Sequence, residues 1–134
     1  MKISSKGRYA VEIMVDIAKN GQDYCSVNEI SSRQNISVKY LEQIISKLVK
    51  AKLLISSRGA TGGYRLSKQP KDYSVAEILS VTGDMPKLAP CLTAATPCPK
   101  KESCESIGCW ETLNALIYDY LSNLTLQNLI DKSY

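Results

Sequence analysis

The sequence predicts a mainly α-helical fold carrying one small β-hairpin, and three features carry that expectation. Apolar residues recur at helical spacing through most of the first fifty positions. A Gly-rich turn, RGATGG (58–63), lies between two short strand-like runs. Near the end, a wide apolar stripe marks one long helix. Hydrophobic residues make up 44% of the 134, enough to pack a single domain without disulfide staples.

Residues 5–19 read as the first helix, because Ala10, Ile13, Met14, Ile17 and Ala18 share one stripe. Asn20-Gly21 stops it. Ser26 and Glu29 have capping-box spacing and open a short helix to about Gln34, which Asn35 breaks. Ser37 caps a third helix, SVKYLEQIISKLVKAK, with Leu41, Ile44, Ile45 and Leu48 on its inner face. Lys39, Glu42, Gln43, Ser46, Lys47 and Lys50 lie on the opposite face. LLISS (53–57) and YRLSK (64–68) form the hairpin. Ser74 and Glu77 repeat the capping-box spacing and open a helix to about Val81. A loop follows from Gly83 to about Gly108, broken by Pro86, Pro90, Pro97 and Pro99. The long helix is expected from about Cys109 to Asn123, and Thr125 caps a last short helix, TLQNLID. Three regions result: 1–82, the cysteine-bearing loop 83–108, and 109–134.

Charge is unevenly spread. Residues 1–72 hold 13 Lys and Arg against 6 Asp and Glu, whereas residues 73–134 hold 4 against 7. A basic first half points to a polyanion as its partner. The chain has no histidine, which excludes His-based triads, Cys–His dyads and His metal ligands. No Gly-rich phosphate loop is present, so a small thiol enzyme is the least supported class. MKISSKGRYAVEIMV has no apolar signal core, and no run approaches the ~20 apolar residues of a membrane span. A cytoplasmic protein is the expectation, where thiols stay reduced.

A short capped helix, a brief turn, a longer helix with a polar-basic face and a Gly-tipped hairpin follow the order of a winged helix-turn-helix. In such a protein the third helix suits the DNA major groove. Lys39, Lys47 and Lys50 would meet phosphates, while Gln43 and Glu42 would address adenine and cytosine edges. Lys6, Ser37 and Tyr40 complete this set of candidates, and Arg58, Gly62 and Tyr64 extend it into the wing. Arg58 would suit a narrow minor groove. An ordinary solvated helix face beside an ordinary hairpin is the competing interpretation.

MKISSKGRYAVEIM, SVKYLEQIISKL and SSRGATGGYRLSK together resemble the IscR-type (Rrf-two) transcriptional regulators, relatives of NsrR and CymR. The resemblance covers nearly the whole chain, including TLQNLID, and the combination is specific where each motif alone is not. It implies a homodimeric winged-helix regulator that binds double-stranded operator DNA. It also implies that the long helix bearing Trp110, Leu113, Leu116, Ile117, Tyr120, Leu121 and Leu124 is the dimerisation helix. The width of that stripe independently calls for a second covering surface, with the first helix as the alternative cover.

Four of the five cysteines fall within CLTAATPCPKKESCESIGC, spaced C-x6-C-x5-C-x4-C. C-x2-C zinc knuckles and ferredoxin spacing are absent, so the spacing by itself indicates a soft-metal or redox site. The resemblance implies more: Cys91, Cys98 and Cys104 match three cysteines that ligate an iron–sulphur cluster, 2Fe-2S ahead of 4Fe-4S, with Trp110 following as in the family. Lys100 and Lys101 flank the site. The chain departs from the family at the fourth ligand. Ile107 stands where some members have histidine, and Arg8 stands where others have an acid. Cys109 ranks first as substitute and Glu12 of the partner subunit second. Glu105, Asp84 or an exogenous ligand follow. A cluster-free regulator answering to thiol redox state, zinc or a partner protein is the alternative. Cys25 is expected to be a passive, half-buried thiol between helices.

Overall fold

The computed structural model describes residues 2–93 and 98–134; Met1 and residues 94–97, Pro97 among them, lie outside the described residues. The chain forms α1 (Ser5–Lys19), α2 (Val27–Gln34), α3 (Val38–Lys50), β1 (Leu54–Ser57), β2 (Gly63–Leu66), α4 (Val75–Thr82), α5 (Ile107–Asn123) and α6 (Leu126–Asp131).

Helix starts follow local capping chemistry. Ser4, Ser26, Ser37, Ser74 and Thr125 each accept an amide hydrogen bond at the start of a helix. At α2 the box closes, with the Ser26 amide donating to Glu29 (2.7 Å). At α4 only half forms: Ser74 accepts from the Glu77 amide, but the Glu77 carboxylate turns outward to Lys68 Nζ (3.1 Å). Asn35 ends α2 in the left-handed conformation (φ 54°), and Lys52 adopts it just after α3 (φ 63°), so α3 stops at Lys50 rather than running to Lys52.

The inner faces of α1 and α3 are buried together, with Ala10, Ile13, Met14 and Ile17 of α1 against Leu41, Ile44, Ile45 and Leu48 of α3. Each large apolar side chain contributes roughly 1.5–3 kcal/mol on burial. Leu54 and Leu66, opposite each other in the hairpin, close the core from the wing side.

Tyr73, whose importance the sequence did not signal, fixes the wing's base. Fully buried, it donates its hydroxyl to the Leu53 carbonyl (2.7 Å) and accepts from the Ser67 and Lys68 amides (2.9 and 3.0 Å). The Tyr73 hydroxyl competes for the Ser67 amide, whose bond to the Leu53 carbonyl is stretched to 3.4 Å, and takes the Lys68 amide; β2 ends at Leu66 rather than Lys68.

Cys25 corrects the sequence expectation. It is completely buried rather than half-buried, and its backbone pairs with the wing: its amide donates to the Tyr64 carbonyl and the Tyr64 amide donates back, both 2.8 Å. This third lane explains Gly63. Its φ of 145° and the close approach of the Cys25 carbonyl leave no room for a Cβ.

α6 returns to the head. Leu126 is buried, its amide donates to the Tyr73 carbonyl (3.1 Å), and the Val75 amide donates to Leu124 (2.9 Å). By contrast, α5 contains no buried residue. It also starts two residues before the expected Cys109, because the chain winds in early through bonds from the Ile107 amide to Cys104 and the Cys109 amide to Ser106.

Candidate nucleic-acid interface and cysteine loop

Ser37, Lys39, Glu42, Gln43 and Lys47 all stand exposed on or just before α3, beside Ser46 and Lys50. Tyr40 is half-buried, its ring edge-on to Tyr9 with centroids 5.9 Å apart, which props the start of α3 against α1. Arg58 is exposed at the wing tip. Lys6 is half-buried on the first turn of α1. The described residues form three ion pairs: Arg33–Asp16, Lys68–Glu77 and Lys101–Glu111. None uses Lys6, Lys39, Lys47, Lys50 or Arg58; of these, Lys6 still feels the charge of Asp84, and the other four pair with no carboxylate among the described residues.

Two wing candidates sit differently from what a groove contact alone would require. Tyr64 packs its ring against the core and commits its backbone to Cys25. Gly62 is required by the turn itself, since a Cβ there would strike the Ser57 carbonyl.

A polar cluster around the buried Asp16 braces the helix-turn-helix. Asp16 receives Arg33 Nε (3.0 Å) and Arg33 NH2 (2.7 Å), and Gln34 Nε2 adds a third donor at 2.9 Å. Bidentate geometry of this kind ties α1 to α2. Arg33 also lies 3.5 Å from Cys25 Sγ. Burial pushes the Cys25 thiol up, and Arg33 only partly offsets it, so Cys25 stays a neutral thiol.

Asp84, the second residue of the cysteine loop, reaches back to the start of α1. The Ser4 amide donates to its Oδ1 (3.1 Å), and Gly7 sits so close that a Cβ would meet the carboxylate at 2.8 Å. Desolvation raises the Asp84 carboxyl, but bonds from Ser4 and Thr82 and the charge of Lys6 outweigh it and hold the group below its ordinary range. Gly7 of the SKGRYA motif is therefore a packing requirement, and Asp84 is already engaged.

None of the five cysteines is in a disulfide; Cys91, Cys98 and Cys104 are half-buried and Cys109 is exposed. Among the described residues they do not converge: no three metal-ligating side chains stand together. The donor chemistry nonetheless fits a soft metal, since thiolate sulfur is what iron–sulphur clusters and zinc prefer. Cys104 is partly prepared as a ligand. Ser106 Oγ lies 3.4 Å from its sulfur and accepts from Trp110 Nε1 (3.2 Å). Accepting from the indole leaves the Ser106 proton free to serve the sulfur, and the hydrogen bond between the two residues holds the Cys104 thiol below its usual range. Ser106 was not legible as functional in the sequence. Lys101 is tied to Glu111 (3.4 Å), which leaves Lys100 as the unpaired cation of the flanking pair.

Glu12 is exposed and lines a cleft of about 600 Å³ with Tyr120 and Leu124 at the far end of α5. Cys109 lies eleven residues back along that helix, roughly 16 Å at ~1.5 Å per residue. A subunit's own Glu12 therefore does not share a site with its own Cys109.

The hairpin beside a capped two-helix unit with an exposed basic face defines a winged helix-turn-helix DNA-binding protein. Residues 3–132 match the Rrf2 model, described as an iron-dependent transcriptional regulator. The chain belongs to the Rrf2 family of transcriptional regulators. It is 38% identical to the HTH-type transcriptional regulator IscR of Photobacterium profundum over 137 residues, covering 97% of this chain and 76% of that one. The fold matches CymR, the global cysteine regulator of B. subtilis, with a TM-score of 0.80 and 32% identity over 100% of this chain and 99% of that one. It also matches T. potens IscR, with a TM-score of 0.75 and 34% identity over 100% and 89% of the two chains. No helix among the described residues is long and apolar enough to cross a membrane.

Proposed function

We propose that the protein is a homodimeric regulator whose affinity for operator DNA is set by an iron–sulphur cluster, 2Fe-2S ahead of 4Fe-4S, in the loop between α4 and α5. Cys91, Cys98 and Cys104 would hold it, with Cys109 or Glu12 of the partner subunit as fourth ligand. The cluster would supply a redox- and supply-sensitive centre; the chain's own part is to place thiolates, shield them and couple the loop to α1 through Asp84. The observation that carries this reading is the unpaired, half-exposed thiol set beginning seven residues after Asp84. The apolar side of α5 supports the homodimer: Trp110, Leu113, Leu116 and Tyr120 are between 40% and 61% exposed.

Anaerobically purified protein should be coloured, and Cys91→Ala, Cys98→Ala and Cys104→Ala should each bleach it. If Cys109 ligates, Cys109→Ala shifts the visible spectrum; if Glu12 does, Glu12→Gln shifts it instead. Colourless wild-type protein after anaerobic cluster reconstitution would overturn the reading. On DNA, Gln43→Ala should weaken specific binding by about 1–3 kcal/mol while sparing non-specific binding.

A second reading rests on Cys104. Its lowered, half-exposed thiol is suited to oxidation, so a cluster-free thiol switch would show operator affinity changing with peroxide in colourless protein, and Cys104→Ser would abolish that change.

A further inference from the structure

We propose that Arg65, stacked on Tyr24 at the base of the wing, is a phosphate clamp that grips the DNA backbone beside the wing tip. This rests on the DNA-binding reading above and names a contact that the sequence motifs did not mark.

The ladder register carries the first part. Leu54 and Leu66 face each other on the buried side of the hairpin. The next pair, Ile55 and Arg65, must therefore face outward, since successive strand residues alternate. Ile55 is accordingly 38% exposed. On the other edge of β2, the Cys25–Tyr64 bridge brings Tyr24 alongside Arg65. Arg65 Cζ then lies 4.9 Å from the Tyr24 ring centroid, within cation–π range.

The second part is what Arg65 lacks. Arg33 spends its guanidinium on Asp16, and Lys68 and Lys101 each have a glutamate. Arg65 takes part in none of the three ion pairs among the described residues. No hydrogen bond among the described residues uses its guanidinium: Nε is enclosed against the protein, and the terminal nitrogens are the donors left for a ligand at this partly exposed residue. A buried donor without an acceptor is costly, and such a group calls for an explanation. The ring holds the planar cation in place with no counter-ion among the described residues, and the paired terminal nitrogens of a guanidinium match phosphate geometry better than a lysine does. The position fits too. Arg65 lies two rungs, roughly 7 Å, from the Ser57–Gly63 end of the ladder, beside which Arg58 stands. A neighbouring pair of backbone contacts would fix the wing's register without reading sequence.

The test uses the full-length dimer on two duplexes: one recovered by the wild-type protein from a random-sequence library, and a scrambled version. Affinities are measured from low to moderate salt. Arg65→Gln should lower the log–log salt slope by about 0.9 per subunit, as expected for one lost phosphate contact. It should weaken both duplexes by the same several-fold factor, leaving their ratio unchanged. Arg65→Lys should keep the slope while losing part of the affinity. Tyr24→Leu should reproduce a fraction of the Arg65→Gln loss, and Tyr24→Phe should match the wild type. A wild-type slope in a folded Arg65→Gln dimer would overturn the proposal, and so would a changed ratio with the slope intact, which would make Arg65 a base reader. Should Arg65→Gln not fold, a wild-type slope and affinity in Tyr24→Leu would overturn it. A flat wild-type slope would instead overturn DNA binding itself, and the clamp with it.

Discussion

Helices α3 and α5 are both amphipathic, thirteen and seventeen residues long, and they meet opposite fates. α3 sends four large aliphatic side chains into the core and leaves a polar, cationic face to solvent. α5 has no fully buried residue and leaves Trp110, Leu113, Leu116 and Tyr120 exposed, while its sequence neighbour α6 packs Leu126 into the core. In α3 the apolar face stabilises the fold and the polar face is free for a ligand. In α5 the apolar face is itself left uncovered among the described residues. The first helix, the alternative cover considered for that stripe, leaves it largely open.

The comparison breaks most sharply at α5. Leu113→Asp combined with Leu116→Asp should weaken self-association by more than a hundredfold, because each large aliphatic side chain contributes roughly 1.5–3 kcal/mol on burial and a carboxylate reverses it. Sedimentation velocity should show a folded monomer with the head's helicity retained. Persistence of the wild-type dimer would mean that α5 is not the interface.

A smaller effect is expected in the head. Tyr73→Phe removes the hydroxyl that serves Leu53, Ser67 and Lys68, and should cost about 1–3 kcal/mol in denaturant unfolding. An unchanged midpoint would mean that the wing's base does not depend on this network.

Asp84 links the two regions. Its carboxyl is held below the ordinary range in the folded protein, so its stabilising contribution is present above the unfolded-state pKa of about 4 and is lost as pH falls through the lower folded-state value. Asp84→Asn should therefore flatten the acid limb of the stability–pH profile. Equal acid limbs in both proteins would remove Asp84 from the account.

Smallest is the tuning of Cys104. Ser106→Ala should move the pH profile of Cys104 alkylation in metal-free protein to higher pH, since the hydroxyl that favours the thiolate is gone. Trp110→Phe should shift it less, in the same direction, because the indole acts only through Ser106. No shift in Ser106→Ala would show that the hydroxyl does not reach the thiolate.

Local chemistry made much of this legible in advance. The Ser26 box, the Ser37 and Thr125 caps, the α1 and α3 stripes and the Gly-tipped hairpin depend on near neighbours, so a linear sequence carries them. The cations of α3 were readable because a helix face is fixed by periodicity. What the sequence could not supply came from contacts between distant residues. Glu77 left its box for Lys68, nine positions away. Cys25 became a strand partner of Tyr64, which set Gly63 and brought Tyr24 beneath Arg65. Asp84 reached eighty residues back to Ser4 and decided why position 7 is glycine. Helix periodicity and capping are short-range constraints and are written in order along the chain. Ring stacking, ion pairs between helices and backbone close approach depend on where separate segments meet, and only the tertiary structure decided that.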